Sequence, residues 1–250
     1  MPDAQYYRIA GKYSKMMDPV KKHVIIPTFT RLMKAENLLG KTALDLACGN
    51  GIYTRILASF RPNDVVGVDI SNEMIRIAQE SENAQRLGIT YIVGDVLSLR
   101  LDKKFDVITA VYLLNYARTK KELTRMCAAV RSHIADDGVF YAVVPNPSSG
   151  PSDGFEYGIR TTNADGKRSF ADGDVVRMEF EGSENGELSF SYCYWSKETY
   201  EGCLGSSGFS SIEWVPFSVS EEGIKEYGSA FWDAWLKNPP SVVLACRPSR

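Results

Sequence analysis

Between Thr42 and Pro145 the chain alternates short apolar runs with longer amphipathic ones. "TALDLAC" reads as a strand, and "IYTRILASF" after it brings Ile52, Ile56 and Leu57 onto one helical face. "DVVGVDI" carries apolar residues at successive positions, the pattern of a strand covered on both faces. Ser71 predicts a helix cap before "NEMIRIAQESENAQRLG", with Glu73 in the first turn and Gly88 beyond the end. "TYIVGD" and "FDVITAVYLL" are the third and fourth predicted strands. Thr119 and Glu122 make a T-x-x-E capping box, and Leu123, Met126, Cys127, Val130 and Ile134 follow at helical spacing towards a stop at Gly138. "GVFYAVVP" is the fifth strand. Such alternation predicts right-handed crossovers and an α/β fold with a doubly wound, Rossmann-like parallel sheet.

The period breaks after Pro145. "PNPSSGPSDG" is a turn-rich connection, and "DVVRMEF" and "GELSFSYCYW" read as two strands around the turn "EGSENG". A helix over "SKETYEGCLGSSG", a strand over "SIEWVPFSV", a helix over "EEGIKEYGSAFWDAWLK" and a buried strand over "SVVLACR" complete the chain. The expected organisation is one domain over 1–250. It comprises an N-terminal helical arm (1–40), a ligand-binding core (41–145), an antiparallel aromatic-rich insertion after strand five (146–195), and closing strands and helices (196–250).

Composition narrows the function classes. With 29 basic and 31 acidic residues the net charge is −2, so no basic excess favours a nucleic-acid partner. Five cysteines without paired spacing and only two histidines offer no metal cluster, and the expectation is no bound metal. "MPDAQYYRIA" lacks a signal-peptide core, and "VITAVYLL" is too short to cross a bilayer, so a cytoplasmic protein without a membrane partner is expected.

Candidate chemistry gathers at the predicted strand ends, where open α/β sheets bind ligands. In "LDLACGNG", Gly49 and Gly51 leave backbone N–H groups accessible after strand one. Asp69, about 20 residues on, is placed for ribose hydroxyls. Dinucleotides and S-adenosylmethionine both use such a site. A dinucleotide fingerprint needs a third glycine where this chain has Thr54, and Asp45 would repel a pyrophosphate while suiting an ammonium and a sulfonium. Asp95, in "VGDV" with Val96, adds an acceptor for an adenine amino group, and Ile70 and Met74 could pack an adenine face.

These motifs resemble those of class I S-adenosylmethionine-dependent methyltransferases: "LDLACGNG", "VVGVDIS", "YIVGDV", "FDVITAVYLLNYA" and "VRSHIADDGVFYAVV" are similar to the family's successive signatures. The resemblance implies a seven-stranded sheet whose last strand, here "SVVLACR", inserts antiparallel. It implies Ala110 and Val111 beneath the cofactor, and it marks Ala47 as a departure where the family often has glycine. "YYRIAGKYS", "YLLNYA", "MCAAV" and "FWDAWLKNPP" are similar to small-molecule methyltransferases of the toxoflavin (azapteridine) pathway type. In those enzymes an N-terminal arm closes over the cofactor, which makes Tyr13 a candidate contact.

An insertion at this place commonly roofs the acceptor pocket in such a fold. Tyr192, Tyr194 and Trp195 are therefore substrate-lining candidates together with Asn115 and Tyr116 near strand four. His133, about 14 residues past the helix cap, should lie roughly 20 Å from the site, whereas His23 could approach from the arm. No residue is assigned as a catalytic acid or base. An acceptor nitrogen with a free lone pair needs none, so N-methylation of a small heteroaromatic is expected. The rival readings are an RNA or protein methyltransferase, a nicotinamide-dependent oxidoreductase, and a non-catalytic S-adenosylmethionine-binding module.

Overall fold

The computed structural model describes residues 19–152, 154, 157–163, 165–181 and 189–249. A seven-stranded sheet runs in the order β3-β2-β1-β4-β5-β10-β9. Its strands are β1 (Thr42–Leu46), β2 (Asp64–Asp69), β3 (Ile89–Val93), β4 (Phe105–Val111), β5 (Ile134–Pro145), β9 (Phe209–Val215) and β10 (Ser241–Pro248). The first five are parallel to one another, and β10 is antiparallel to both β5 and β9. The expected antiparallel role of "SVVLACR" is thus observed. Burial explains the continuous apolar runs: Ala43, Leu44 and Leu46 of β1 and Val65, Val66 and Val68 of β2 are all inside.

Helices cover both faces. A π turn (Lys21–Ile25) leads into α1 (Ile26–Glu36), followed by α2 (Ile52–Ser59), α3 (Asn72–Gln85), α4 (Lys120–His133), α5 (Lys197–Ser206), α6 (Glu221–Tyr227) and α7 (Ser229–Lys237). Leu123, Met126, Cys127 and Val130 of α4 join Tyr200, Cys203 and Leu204 of α5 in one core layer. Phe29 and Met33 of α1, Leu57 of α2, Ile75 of α3 and Trp232 and Trp235 of α7 fill the opposite layer. The predicted caps form: Ser71 accepts the Met74 N–H, and Thr119 accepts the Glu122 N–H while Glu122 accepts the Arg118 N–H.

Three boundaries differ from the sequence pattern. α4 stops at His133 and β5 begins at Ile134, four residues before Gly138. The last predicted helix is two helices, because Gly228 takes φ 83° at their junction. The insertion has three antiparallel strands in the order β6-β7-β8, where β6 (Ile159–Asn163) joins the expected pair β7 (Val175–Phe180) and β8 (Ser189–Cys193).

Candidate active site

The carboxyl ends of β1, β2, β3 and β4 open into a cavity of about 440 Å³. That lies within the range of small-molecule and cofactor sites. One half is built by the turns after β1 to β3. Gly49, in a left-handed turn with φ 53°, has open space where a side chain would stand. Its N–H donates to Asp69 Oδ2 at 2.8 Å, and Asp69 Oδ1 accepts the Ser71 N–H at 2.9 Å. Asp69 lines the cavity, and a carboxylate at that place is an acceptor suited to a ligand hydroxyl. Ala47, Ile70, Met74, Asp95, Val96 and Val111 also line this half. Asp95 Oδ1 accepts the Leu97 N–H at 2.9 Å, an Asx turn that fixes the carboxylate at the mouth of β3.

Three residues from the same motifs stand behind the cavity wall. Asp45 is 1% exposed, with Oδ2 accepting Thr54 Oγ1–H at 2.6 Å and Oδ1 accepting Thr109 Oγ1–H at 2.8 Å. It braces the first turn of α2 against β4 and does not line the cavity. Burial raises its carboxyl to about 6, against the lowering pull of the two threonine bonds. Gly51 is needed for space: a Cβ there would lie 2.2 Å from the Tyr91 hydroxyl. Ala110 is buried within β4. Tyr13 lies outside the described residues.

The other half of the cavity lies between the strand ends and the insertion sheet. Asn115 and Tyr116 line it, as does Tyr192, joined by Ile159, Met178, Phe180 and Phe190 from the same small sheet. Tyr194 and Trp195 lie elsewhere. The Tyr194 hydroxyl donates to the Pro147 carbonyl at 2.5 Å, and the Trp195 indole N–H donates to the Ala117 carbonyl at 3.2 Å. β8 ends at Cys193, so its alternation stops before either residue.

Other lining groups come from distant sequence: Val20, Lys21 and Ile25 of the arm, Pro240 before β10 and Ser241 at its start. Tyr112 is also there, in left-handed backbone at φ 60°, with its hydroxyl 2.8 Å from Ser241 Oγ. No signal in the sequence joins these segments.

Neither histidine faces the cavity. His23 is 1% exposed, with Nδ1 3.0 Å from Ser220 Oγ and Nε2 3.0 Å from Glu226 Oε2, so it clips the arm to α6. His133 is buried at the end of α4, with Nδ1 2.8 Å from the Ala129 carbonyl. Among the described residues no group of three or more His, Cys, Asp or Glu could hold a metal ion. Among them, too, no helix is long and apolar enough to cross a membrane.

Residues 43–138 match the model of the methyltransferase domain family. A ubiquinone biosynthesis O-methyltransferase from Coxiella burnetii is 33% identical over 127 residues, which are 50% of this chain and 51% of that protein. The chain thus spans about half the length of the curated relatives it matches. An S-adenosylmethionine-dependent methyltransferase from Clostridium acetobutylicum superposes with TM-score 0.66 at 20% identity, covering 98% of this chain and 99% of that one. The CcbJ methyltransferase from Streptomyces caelestis gives TM-score 0.66 at 16% identity, covering 97% and 96%. The fold is that of class I S-adenosylmethionine-dependent methyltransferases. Nothing in these relatives supports a toxoflavin-type specificity.

The donor set fits that cofactor. Open backbone at Gly49, carboxylates at Asp69 and Asp95, and apolar flanks at Ile70 and Met74 match a ligand with ribose hydroxyls, a base amino group and a flat ring.

Proposed function

We propose that this chain, whose residues 43–138 match the methyltransferase domain family, uses S-adenosylmethionine to methylate a small heteroaromatic molecule on nitrogen. The observation that carries the reading is the second half of the cavity. It is walled by Ile159, Met178, Phe180 and Phe190 of the insertion sheet and sized for a small ligand rather than a polymer strand.

Bound S-adenosylmethionine supplies an activated methyl carbon. What the chain adds is position and a dry environment. Asp69 and Asp95 would hold the ribose and the base, Gly49 would let the backbone approach, and Ile70 and Met74 would cover the ring. Met178, Phe180 and Phe190 would stack on the acceptor and exclude water, each aromatic contact contributing about 0.5–1.5 kcal/mol.

Among the described residues lining the acceptor half, the carboxylate is Glu122, and it serves the cap of α4 by accepting the Arg118 N–H at 2.8 Å. With both histidines turned away, the described residues of the acceptor half present no imidazole and no carboxylate beyond Glu122. An acceptor nitrogen that already exposes a lone pair suits this site better than an alcohol. Methylation of a hydroxyl is the second reading, favoured by the relatives named as O-methyltransferases.

The test is incubation with methyl-deuterated S-adenosylmethionine and a small-molecule extract, followed by isolation of the labelled product. The carbon chemical shift of the same product made with 13C-methyl cofactor separates N-methyl from O-methyl. A nitrogen-bound methyl is expected, and an oxygen-bound one would select the second reading.

A further inference from the structure

Asn115 is 2% exposed, lines the acceptor half of the cavity, and its Oδ1 is buried without a hydrogen-bond partner among the described residues. Leaving such an acceptor unmatched is costly, and native chains retain few of them. The segment carrying it is held in an unusual conformation. Tyr112 is bulky yet sits at φ 60°, fixed by its N–H to the Val143 carbonyl at 2.8 Å and by its hydroxyl contact with Ser241. Backbone strain of this kind gathers at ligand clamps.

Asn115 belongs to the short 3₁₀ turn Leu114–Tyr116, which packs against β8, the strand that brings Phe190 and Tyr192 into the cavity. Burial pushes the Tyr192 phenol up, so it stays protonated and able to donate. The polar group and the aromatic wall are therefore neighbours on opposite elements.

An amide side chain is planar, with an acceptor oxygen and an NH₂ donor side by side. Its best partner is an edge offering a donor next to an acceptor, as in the pairing of Asn with adenine. A carboxylate ligand would meet Oδ1 with like partial charge, and a hydrocarbon would leave it unpaired.

We propose that Asn115 is the specificity-determining residue of the acceptor site, pairing with the donor–acceptor edge of an uncharged, flat heteroaromatic of the lactam or aminopyridine type. This rests on the proposed small-molecule reading and deepens it. Tyr192 sits beside the pair, and Phe190 supplies the face on which the ring lies.

The experiment measures binding to the full chain by calorimetry or ligand-observed NMR, first for S-adenosylhomocysteine and then for three probes added to the loaded protein. The probes are 2-quinolone, which has the edge, 1-methyl-2-quinolone, which lacks the donor, and naphthalene, which lacks both groups. The wild type is expected to bind 2-quinolone about tenfold more tightly than either control. Asn115→Leu should abolish that preference while changing S-adenosylhomocysteine affinity less than about twofold.

Asn115→Leu should also melt no lower than the wild type, since it removes an unpaired buried amide. A merely structural asparagine would instead show a clear loss of stability. Asn115→Asp, which keeps the shape and loses the donor, is a second variant and should lose the preference as well.

Equal binding of the three probes by the wild type would overturn the proposal, as would a preference that survives Asn115→Leu. Failure of S-adenosylhomocysteine itself to bind would count against the methyltransferase reading instead.

Discussion

Asp69 Oδ2 accepts the Gly49 N–H at 2.8 Å, which ties the end of β2 to the turn after β1. The same carboxylate holds the start of α3 through Ser71, so one side chain fixes two of the three turns that shape the cofactor half. Asp69→Ala strands both N–H groups, at a cost of about 1–3 kcal/mol in folding stability. It should also weaken S-adenosylhomocysteine binding at least tenfold. Denaturant unfolding and titration calorimetry read the two effects separately, and unchanged affinity would remove Asp69 from the site.

The buried Asp45 makes stability depend on pH with an unusual sign. Its carboxyl sits at about 6 in the folded chain and at the ordinary 3.8 when exposed. Between those values the folded chain keeps a proton that the unfolded chain has lost, so stability falls as pH rises through the window and then levels off. The full difference is about 3 kcal/mol. Asp45→Asn removes this contribution. Urea unfolding of the two proteins at pH 4 and pH 7 should show the wild type losing stability relative to the variant, and parallel curves would contradict the assignment.

Two positions in the first turn tolerate little change. Gly51 combines φ 77° with the approach of Tyr91, so Gly51→Ala should destabilise by at least about 1–3 kcal/mol. Ala47 holds φ 55° at the cavity edge, where alanine is the smallest side chain that bears a Cβ. Ala47→Val puts a β-branched residue in that conformation and fills cofactor space. It should lower both melting temperature and S-adenosylhomocysteine affinity, by a degree that differential scanning calorimetry and titration resolve.

His23 separates a structural role from a catalytic one. Its ring packs on Tyr227 and Trp232 and meets Ser220 and Glu226. His23→Ala should lower stability by about 2–4 kcal/mol through a cavity and lost hydrogen bonds. The pH profile of methyl transfer should keep its shape. A profile whose inflection moves in the variant would make His23 part of the chemistry and count against transfer to a free nitrogen.

Much of the fold was legible because parallel strands buried on both faces cannot alternate, and because Ser71 and Thr119 mark their helices by local chemistry. β6 was missed since "IRTTN" is polar, short and without alternation. The break at Gly228 was hidden inside an amphipathic run. Motif spacing picked out Gly49, Asp69, Ile70, Met74 and Asp95, which all line the cavity from successive strand ends. It also picked out Asp45, which stands behind the cavity wall because its buried bonds to Thr54 and Thr109 depend on how α2 and β4 pack. The strand expected over "GELSFSYCYW" ends at Cys193, which leaves Tyr194 and Trp195 outside it. Lys21, Tyr112 and Ser241 meet at the cavity only through tertiary contact, and periodicity carries no record of that.

The most direct measurement follows a deuterated methyl group from S-adenosylmethionine into separated small-molecule, RNA and protein fractions. Label is expected on a small heteroaromatic, with the mass increase of one trideuteromethyl group. Label on RNA or protein, or no label anywhere despite tight cofactor binding, would contradict it.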